Sequence, residues 1–332
     1  MMVKQTYKRL VLAMVILSLV LWILNLSLGQ LQVSLVDLFE SIFVKQDSLS
    51  AYVILQIRLP RLLVVFFSGI ALALSGSLLQ SVTRNDLADP GIIGINAGAG
   101  LGVTVFFLIF VYDASQFALL LPIIAFLGGL VSAGLIFLLS YHKDHGIHPY
   151  KMILMGIGLT MAASGIMVLL ITSAERDEVQ FITNWLAGSV WGGDWPYVMV
   201  VLPIIILLSI FLIFQTQTLN VIQLGDMHAK GLGVEMKRKV FIYLLVSTML
   251  ASVSVAVVGN IAFIGLLAPH IAKQLVGKRN QRFLPMAALI GGNLLLLADV
   301  LARNLIQPNG LPTGILVAII GGPYFTYLIL RK

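Results

Sequence analysis

LLVVFFSGIALALSGSLL, residues 62–79, decides how this chain is read: eighteen consecutive residues without one charge. A helix needs about 20 mostly apolar residues to cross the roughly 30 Å hydrocarbon core of a bilayer, so this run predicts a membrane span. Comparable runs lie at Leu10 to Leu28, Phe117 to Leu139 and Val198 to Phe214. Of the 332 residues, 59% are hydrophobic and only 11% charged, with a mean hydropathy of +1.01. Soluble globular domains carry roughly 25% charged residues, so that class is excluded and the bilayer is the main solvent.

Hydropathy with turn and charge punctuation extends the reading to an all-α integral membrane protein of about ten transmembrane helices. They are expected near 10–28, 62–82, 93–112, 117–140, 152–172, 195–214, 240–258, 261–276, 284–302 and 311–330. The eighth is short and holds Pro269. Charge tests the count. With ten spans and a cytoplasmic N-terminus, sixteen of the 21 Lys and Arg residues fall in inside segments, and only Lys45, Arg58, Arg61, Arg176 and Arg303 fall outside. That is the positive-inside bias. The basic, apolar first 28 residues resemble a signal peptide, but the apolar stretch is long, lacks an A-x-A-like exit and precedes many spans. A retained first helix is expected.

Small residues recur every four positions at Gly69, Ala73 and Ser77, and again at Gly94, Gly98 and Gly102. Such spacing lets helix backbones approach closely in a packed bundle. Between the fifth and sixth spans, Trp185, Trp191 and Trp195 predict a short interfacial helix at the headgroup level.

Several chemistries drop out. No cysteine is present, which excludes disulfides, thiolate nucleophiles and Cys-ligated zinc or iron–sulfur clusters. Leu74-Ser75-Gly76-Ser77 loosely matches an ATP-cassette signature but lies inside an apolar span. Gly277-Lys278 lacks the following Ser/Thr and the leading Gly of a phosphate loop, so no nucleotide site is expected in this chain. His142, His145 and His148 are either a weak metal constellation or a solvated turn with Gly146 and Pro149. His270, beside Pro269, reads as a packing residue. Neither a Ser–His–Asp order nor paired intramembrane carboxylates suggest catalysis. The basic excess raises orientation before nucleic acid.

Two charged features remain. Asp299 and Arg303 are four apart near the outer end of the ninth span, so they can face each other as a functional site or as a structural ion pair. Arg58 and Arg61 flank Leu59-Pro60 on the outside, against the charge trend. They anchor headgroups, or they form a docking patch for an acidic external partner.

Read together, RLPR at 58–61, Ser75-Gly76 through Gln80, and RNDLADPGIIG at 84–94 resemble the permeases of iron-siderophore, haem and vitamin B12 importers, the FecCD type of ABC transporter. The second half matches as well, through Leu224-Gly225-Asp226 with Ala229 and Leu232-Gly233, GNIAFIGLLAPH at 259–270, Ala298-Asp299 with Arg303, LPTG at 311–314 and Gly321-Gly322-Pro323. The resemblance covers almost the whole chain. Two positions depart: Asp86 replaces the usual proline of the loop, and Gly310 replaces the glutamate that commonly precedes Leu311-Pro312.

The resemblance implies a single permease domain over 1–332 with a type II importer fold like that of the vitamin B12 permease. Helices 2–5, about 62–172, and 7–10, about 240–330, would be inverted-repeat halves. It further implies a multi-pass protein of the bacterial cytoplasmic membrane with both termini inside. The expected partners are a second permease, identical or paralogous, two cytoplasmic ATP-binding subunits and an extracytoplasmic substrate-binding protein; no cofactor is expected. Arg58, Arg61 and Arg303 look like the arginines that meet acidic residues on that binding protein. The segment of about 220–235, with Leu224, Gly225, Asp226, Ala229, Leu232 and Gly233, looks like the coupling segment that enters the ATPase. Its residues suit that role, since Gly225 and Gly233 allow sharp turns while Leu224, Met227 and Leu232 offer an apolar contact. The implied cargo is a ferric siderophore, with haem or cobalamin as alternatives. An ion-coupled carrier or a channel is the rival class and should show a buried proton relay or a ring of charges.

Overall fold

The computed structural model describes residues 2–29, 33–34, 48–91, 94–109, 114–142, 146–147, 149–190, 193–306 and 310–330. Among these it is all-helical apart from a two-residue hairpin, Tyr141–His142 with Gly146–Ile147. Twelve helices follow in order: α1 Met2–Ser27, α2 Leu49–Thr83, α3 Ile95–Ile109, α4 Ala114–Ser140, α5 Pro149–Ile171, α6 Arg176–Leu186, α7 Trp195–Gln223, α8 Asp226–Gly231, α9 Met236–Val258, α10 Ile264–Val276, α11 Asn280–Leu305 and α12 Thr313–Leu330. Seven of them are long and apolar enough to cross a membrane, and α3, α10 and α12 are shorter apolar helices. Each expected span coincides with one of these ten. The exceptions are the amphipathic α6 and the six-residue α8.

The bundle is built around α2, which packs against α9 and α11 and is buried along most of its length. The expected small-residue spacing is what permits this. A Cβ on Gly69 would lie 2.4 Å from the carbonyl oxygen of Gly291, and one on Gly98 would lie 2.5 Å from that of Gly128. Such helices touch backbone to backbone, where packing rather than hydrophobicity drives association. Polar side chains then bond across the seams. Ser75 and Ser247 each donate to the other's backbone carbonyl, at 2.7 and 2.9 Å.

α2 starts well before the expected span, and its first turns are irregular for a sequence reason. Pro60 has no N–H, so the helix widens into a π-helical turn over Val53–Arg58, in which the Leu59 N–H reaches back to the Ile54 carbonyl. The next bond of that series would need the missing N–H of Pro60. The orphaned Leu55 carbonyl instead accepts the indole N–H of Trp195 at 2.9 Å.

The interfacial reading of the tryptophans is corrected in one place. α6 forms as expected, with Glu175 and Glu178 making a reciprocal capping box. Trp185, however, is 1% exposed and packs inside the protein, so its indole does not face the headgroups. Its carbonyl accepts the Asn260 N–H, so α6 is drawn against the loop before α10. Trp191 lies outside the described residues. So do His145, His148 and the His142 side chain, which carried the candidate metal constellation. His270 packs edge-on to Tyr324 and pairs with Gln274 at 2.8 Å.

Candidate functional site

The π-helical turn sets the rotation of α2 so that Arg58 points inward and Arg61 lies on the adjoining rim. Arg58 is 5% exposed, and its guanidinium donates to the carbonyls of Leu26 and Ser27 at 2.5 and 3.1 Å, fastening α2 to the end of α1. Arg61 donates to Asp299 at 2.8 Å, and Arg303, one turn along α11 from Asp299, lies 3.1 Å from the other carboxylate oxygen. The Thr313 hydroxyl adds a bond to Asp299 at 3.2 Å. One fully buried carboxylate therefore clamps two guanidiniums and the start of α12. The sequence pointed to the Asp299–Arg303 half, and the second arginine arrives from a position 238 residues away.

These three arginines line one chamber of about 780 Å³, with Gln180 and Asn184 of α6 on the facing wall. Three guanidiniums against a single carboxylate leave an excess of two positive charges. Gly310 lines it too, in a left-handed conformation with φ of 66°. Gly310 itself adds no negative charge to the chamber.

The opposite end of α2 meets the second group of candidate residues. α2 stops at Arg84, whose left-handed backbone, φ 53°, turns its side chain to an ion pair with Asp226 at the start of α8. Gln223 donates to Ser81 at 3.1 Å beside it. Gly225 and Gly233 bracket α8 with φ of 107° and 80°, the positive values that only glycine adopts freely. Ala229 is buried against the bundle, whereas Leu224, Met227 and Leu232 are 61%, 87% and 65% exposed. Three apolar side chains thus project from a short, tightly held turn.

Asp86 also acts here. It pairs with Lys273 of α10 at 2.7 Å, and Lys273 donates to Gln80 at 2.7 Å. Burial pushes the Asp86 carboxyl up, but the hydrogen bond and charge of Lys273, aided by Lys278 and His270, outweigh it and hold it below the usual carboxylate range. Asp86 therefore ties the loop after α2 to α10 through an ion pair.

An arginine-lined mouth at one end, a small protruding helix at the other and a connecting close-packed rod are the parts of a transport subunit. Known proteins agree. The chain is 36% identical over 320 residues to the iron(3+)-hydroxamate import system permease protein FhuG of Bacillus subtilis, covering 95% of each chain. It is 40% identical over 280 residues to the Fe(3+) dicitrate transport system permease protein FecD of Escherichia coli, covering 84% of this chain and 86% of that one. It also superimposes on a metal-chelate type ABC transporter solved in an inward-facing conformation, with a TM-score of 0.85 and 29% identity, covering 98% of this chain and all of the other. The FecCD transport family model matches residues 16–331, and the chain belongs to that family.

Proposed function

We propose that this chain is the membrane-spanning subunit of an ATP-driven importer that carries a ferric siderophore across the cytoplasmic membrane. The single observation that carries the reading is the pair of polar clusters at opposite ends of α2. One is a recessed, positively charged mouth; the other fastens an exposed apolar turn. The mouth faces outside and both termini face the cytoplasm, in keeping with the charge count. Arg61 and Arg303 receive acidic side chains of an external binding protein, and the buried Arg58 adds its positive charge from the wall behind them. Leu224, Met227 and Leu232 enter one of two cytoplasmic ATPase subunits, which supply the energy. A second permease, identical or related, completes the pathway. The halves built from spans 2–5 and 7–10 are inverted repeats, supported by a local signature: Gly94 and Phe263 both take positive φ immediately before Ile95 and Ile264, which open α3 and α10.

Cells lacking this chain are offered labelled iron as ferric hydroxamate, ferric catecholate or haem, and labelled cobalamin. Selective loss of ferric siderophore uptake, abolished in controls by ATP depletion, is the expected result. Uptake that survives ATP depletion would overturn the importer mechanism in favour of an ion-coupled carrier.

Docking gives a second expectation. Removing Arg61 and Arg303 alone would strand Asp299 as an unpaired buried charge, a change that typically costs about 3–5 kcal/mol. The informative variant is the neutral triple, Arg61→Gln, Asp299→Asn and Arg303→Gln. Affinity for the binding protein should fall at least tenfold, with a shallower salt dependence, while membrane insertion is kept. Unchanged affinity in a vesicle binding assay would refute the role.

A further inference from the structure

We propose that the cavity between α5, α12 and the paired starts of α3 and α10 is a cargo contact site that selects chelates presenting a cationic or N–H donor group, with Asp89 as its acceptor. This rests on the importer reading above and names the cargo chemistry of that pathway.

α10 has thirteen residues, or about 20 Å of helix, too short for a 30 Å core, so its first residue begins at depth. The loop after α2 runs beside it. Asp86 pairs with Lys273 near the end of α10, whereas Asp89 stands at its start, where a Cβ on Gly265 would lie 2.8 Å from the carboxylate. Eight residues of helix separate those points, roughly 12 Å. Irregular backbone at such depth is tolerated only against protein or a water-filled cavity, and this loop has both. The cavity measures about 620 Å³. The rest of its wall is mostly apolar, formed by Ile157, Met161 and Met167 of α5, Phe263 and Leu266 at the start of α10, and Phe325 of α12.

Donors are near but do not reach the carboxylate: the Thr160 and Ser164 hydroxyls line the same cavity, and neither bonds to Asp89. Asp89 is 8% exposed and accepts one hydrogen bond, from the Gly91 N–H at 2.9 Å. A carboxylate offers about four acceptor sites. Among the described residues no Lys, Arg or His pairs with it. Asn96, also 8% exposed, gives its amide N–H to Asn260 at 2.7 Å and leaves its carbonyl oxygen buried with no partner. The starts of α3 and α10 lie beside Asp89 but supply no donor to its free oxygen. A buried carboxylate and an unpaired amide oxygen on one cavity wall are satisfied by an ammonium or N–H group of a passing ligand. An anionic chelate would be repelled. The apolar remainder holds the cargo weakly enough to release it.

The test uses the complete transporter in proteoliposomes with three probes: a ferric trihydroxamate carrying a free terminal amine, its N-acetylated neutral derivative, and ferric citrate. At subsaturating cargo, the wild type should take up the amine-bearing chelate at least tenfold faster than the acetylated one, with ferric citrate slowest. Asp89→Asn should bring the first two within about twofold. Met161→Lys, at an exposed position on the same wall, should lower amine-chelate uptake and raise that of ferric citrate, and it serves if Asp89→Asn fails to accumulate. Equal uptake of the amine and acetylated forms by the wild type, or an unchanged preference in either variant, overturns the proposal. A wild type that moves no ferric chelate in the presence of ATP overturns the importer reading itself.

Discussion

Arg84→Glu is expected to separate ATP hydrolysis from transport, lowering uptake per ATP hydrolysed by about tenfold while the subunit still folds. The Arg84–Asp226 pair is a charged link between the rod α2 and α8, the helix proposed to enter the ATPase, backed by the neutral Gln223–Ser81 bond. Both side chains are substantially exposed, 41% and 59%, so the pair adds little to stability; exposed pairs are worth about 0–1 kcal/mol. Its value lies in position. If α8 swings with an ATPase as proposed, it must drag α2 to move the arginine-lined chamber at the far end, and a second carboxylate facing Asp226 turns the link repulsive, so that α8 moves without α2. The rescue is what distinguishes this role from local damage: adding Asp226→Arg restores the attraction in reversed sense and should recover most of the uptake-to-hydrolysis ratio. Retained coupling in Arg84→Glu, or no recovery in the double reversal, would sink the argument.

What the sequence disclosed and what it withheld separate along chain distance. The spans were legible because a bilayer punishes every unburied polar group, so hydropathy, read with turn and charge punctuation, marks the helices. The turns at Gly225 and Gly233 were legible because only glycine enters positive φ cheaply, and the apolar trio Leu224, Met227 and Leu232 beside them was visible in the residues themselves. The partner of Asp299 four residues away was visible through helical spacing, whereas Arg61 was not, because a contact across 238 residues leaves no local trace. Arg84 with Asp226 and Asp86 with Lys273 were hidden for the same reason. Trp185 was misplaced because an indole suits both an interface and a core, and only the docking of α6 against the Asn260 loop decides between them. The depth of Asp89 was invisible as well. The shortness of α10 was visible, but the depth also needs the loop after α2 to run beside the start of α10, and that meeting of Asp89 with Gly265 joins segments far apart in the chain.

Gly76→Ala is expected to be the most damaging single methyl group in the chain. A Cβ there would lie 1.8 Å from the carbonyl oxygen of Gly265 and 2.7 Å from its Cα, so the obstruction is backbone on both sides and no side chain can rotate away. The contact joins α2 to the second residue of α10, and Gly265 is itself pressed by Asp89 and Pro90 on its other side. Relief would require moving α10 bodily, which would open the seam that holds Asp89 in place. Overpacking a well-filled core ordinarily costs about 1–3 kcal/mol, and a rigid backbone-to-backbone clash belongs at or beyond the upper end. That predicts a drop in Tm of roughly 5–10 °C in detergent, with loss of monodisperse protein. Gly134→Ala supplies the contrast, because nothing lies within 4 Å of the added Cβ on α4. There the methyl should be neutral or stabilising by up to about 1 kcal/mol through helix propensity. Thermal unfolding followed by size-exclusion chromatography on the two variants decides the matter. A Gly76→Ala protein as stable as wild type would mean that α2 and α10 do not meet backbone to backbone, and the depth argued for Asp89 would fall with that contact.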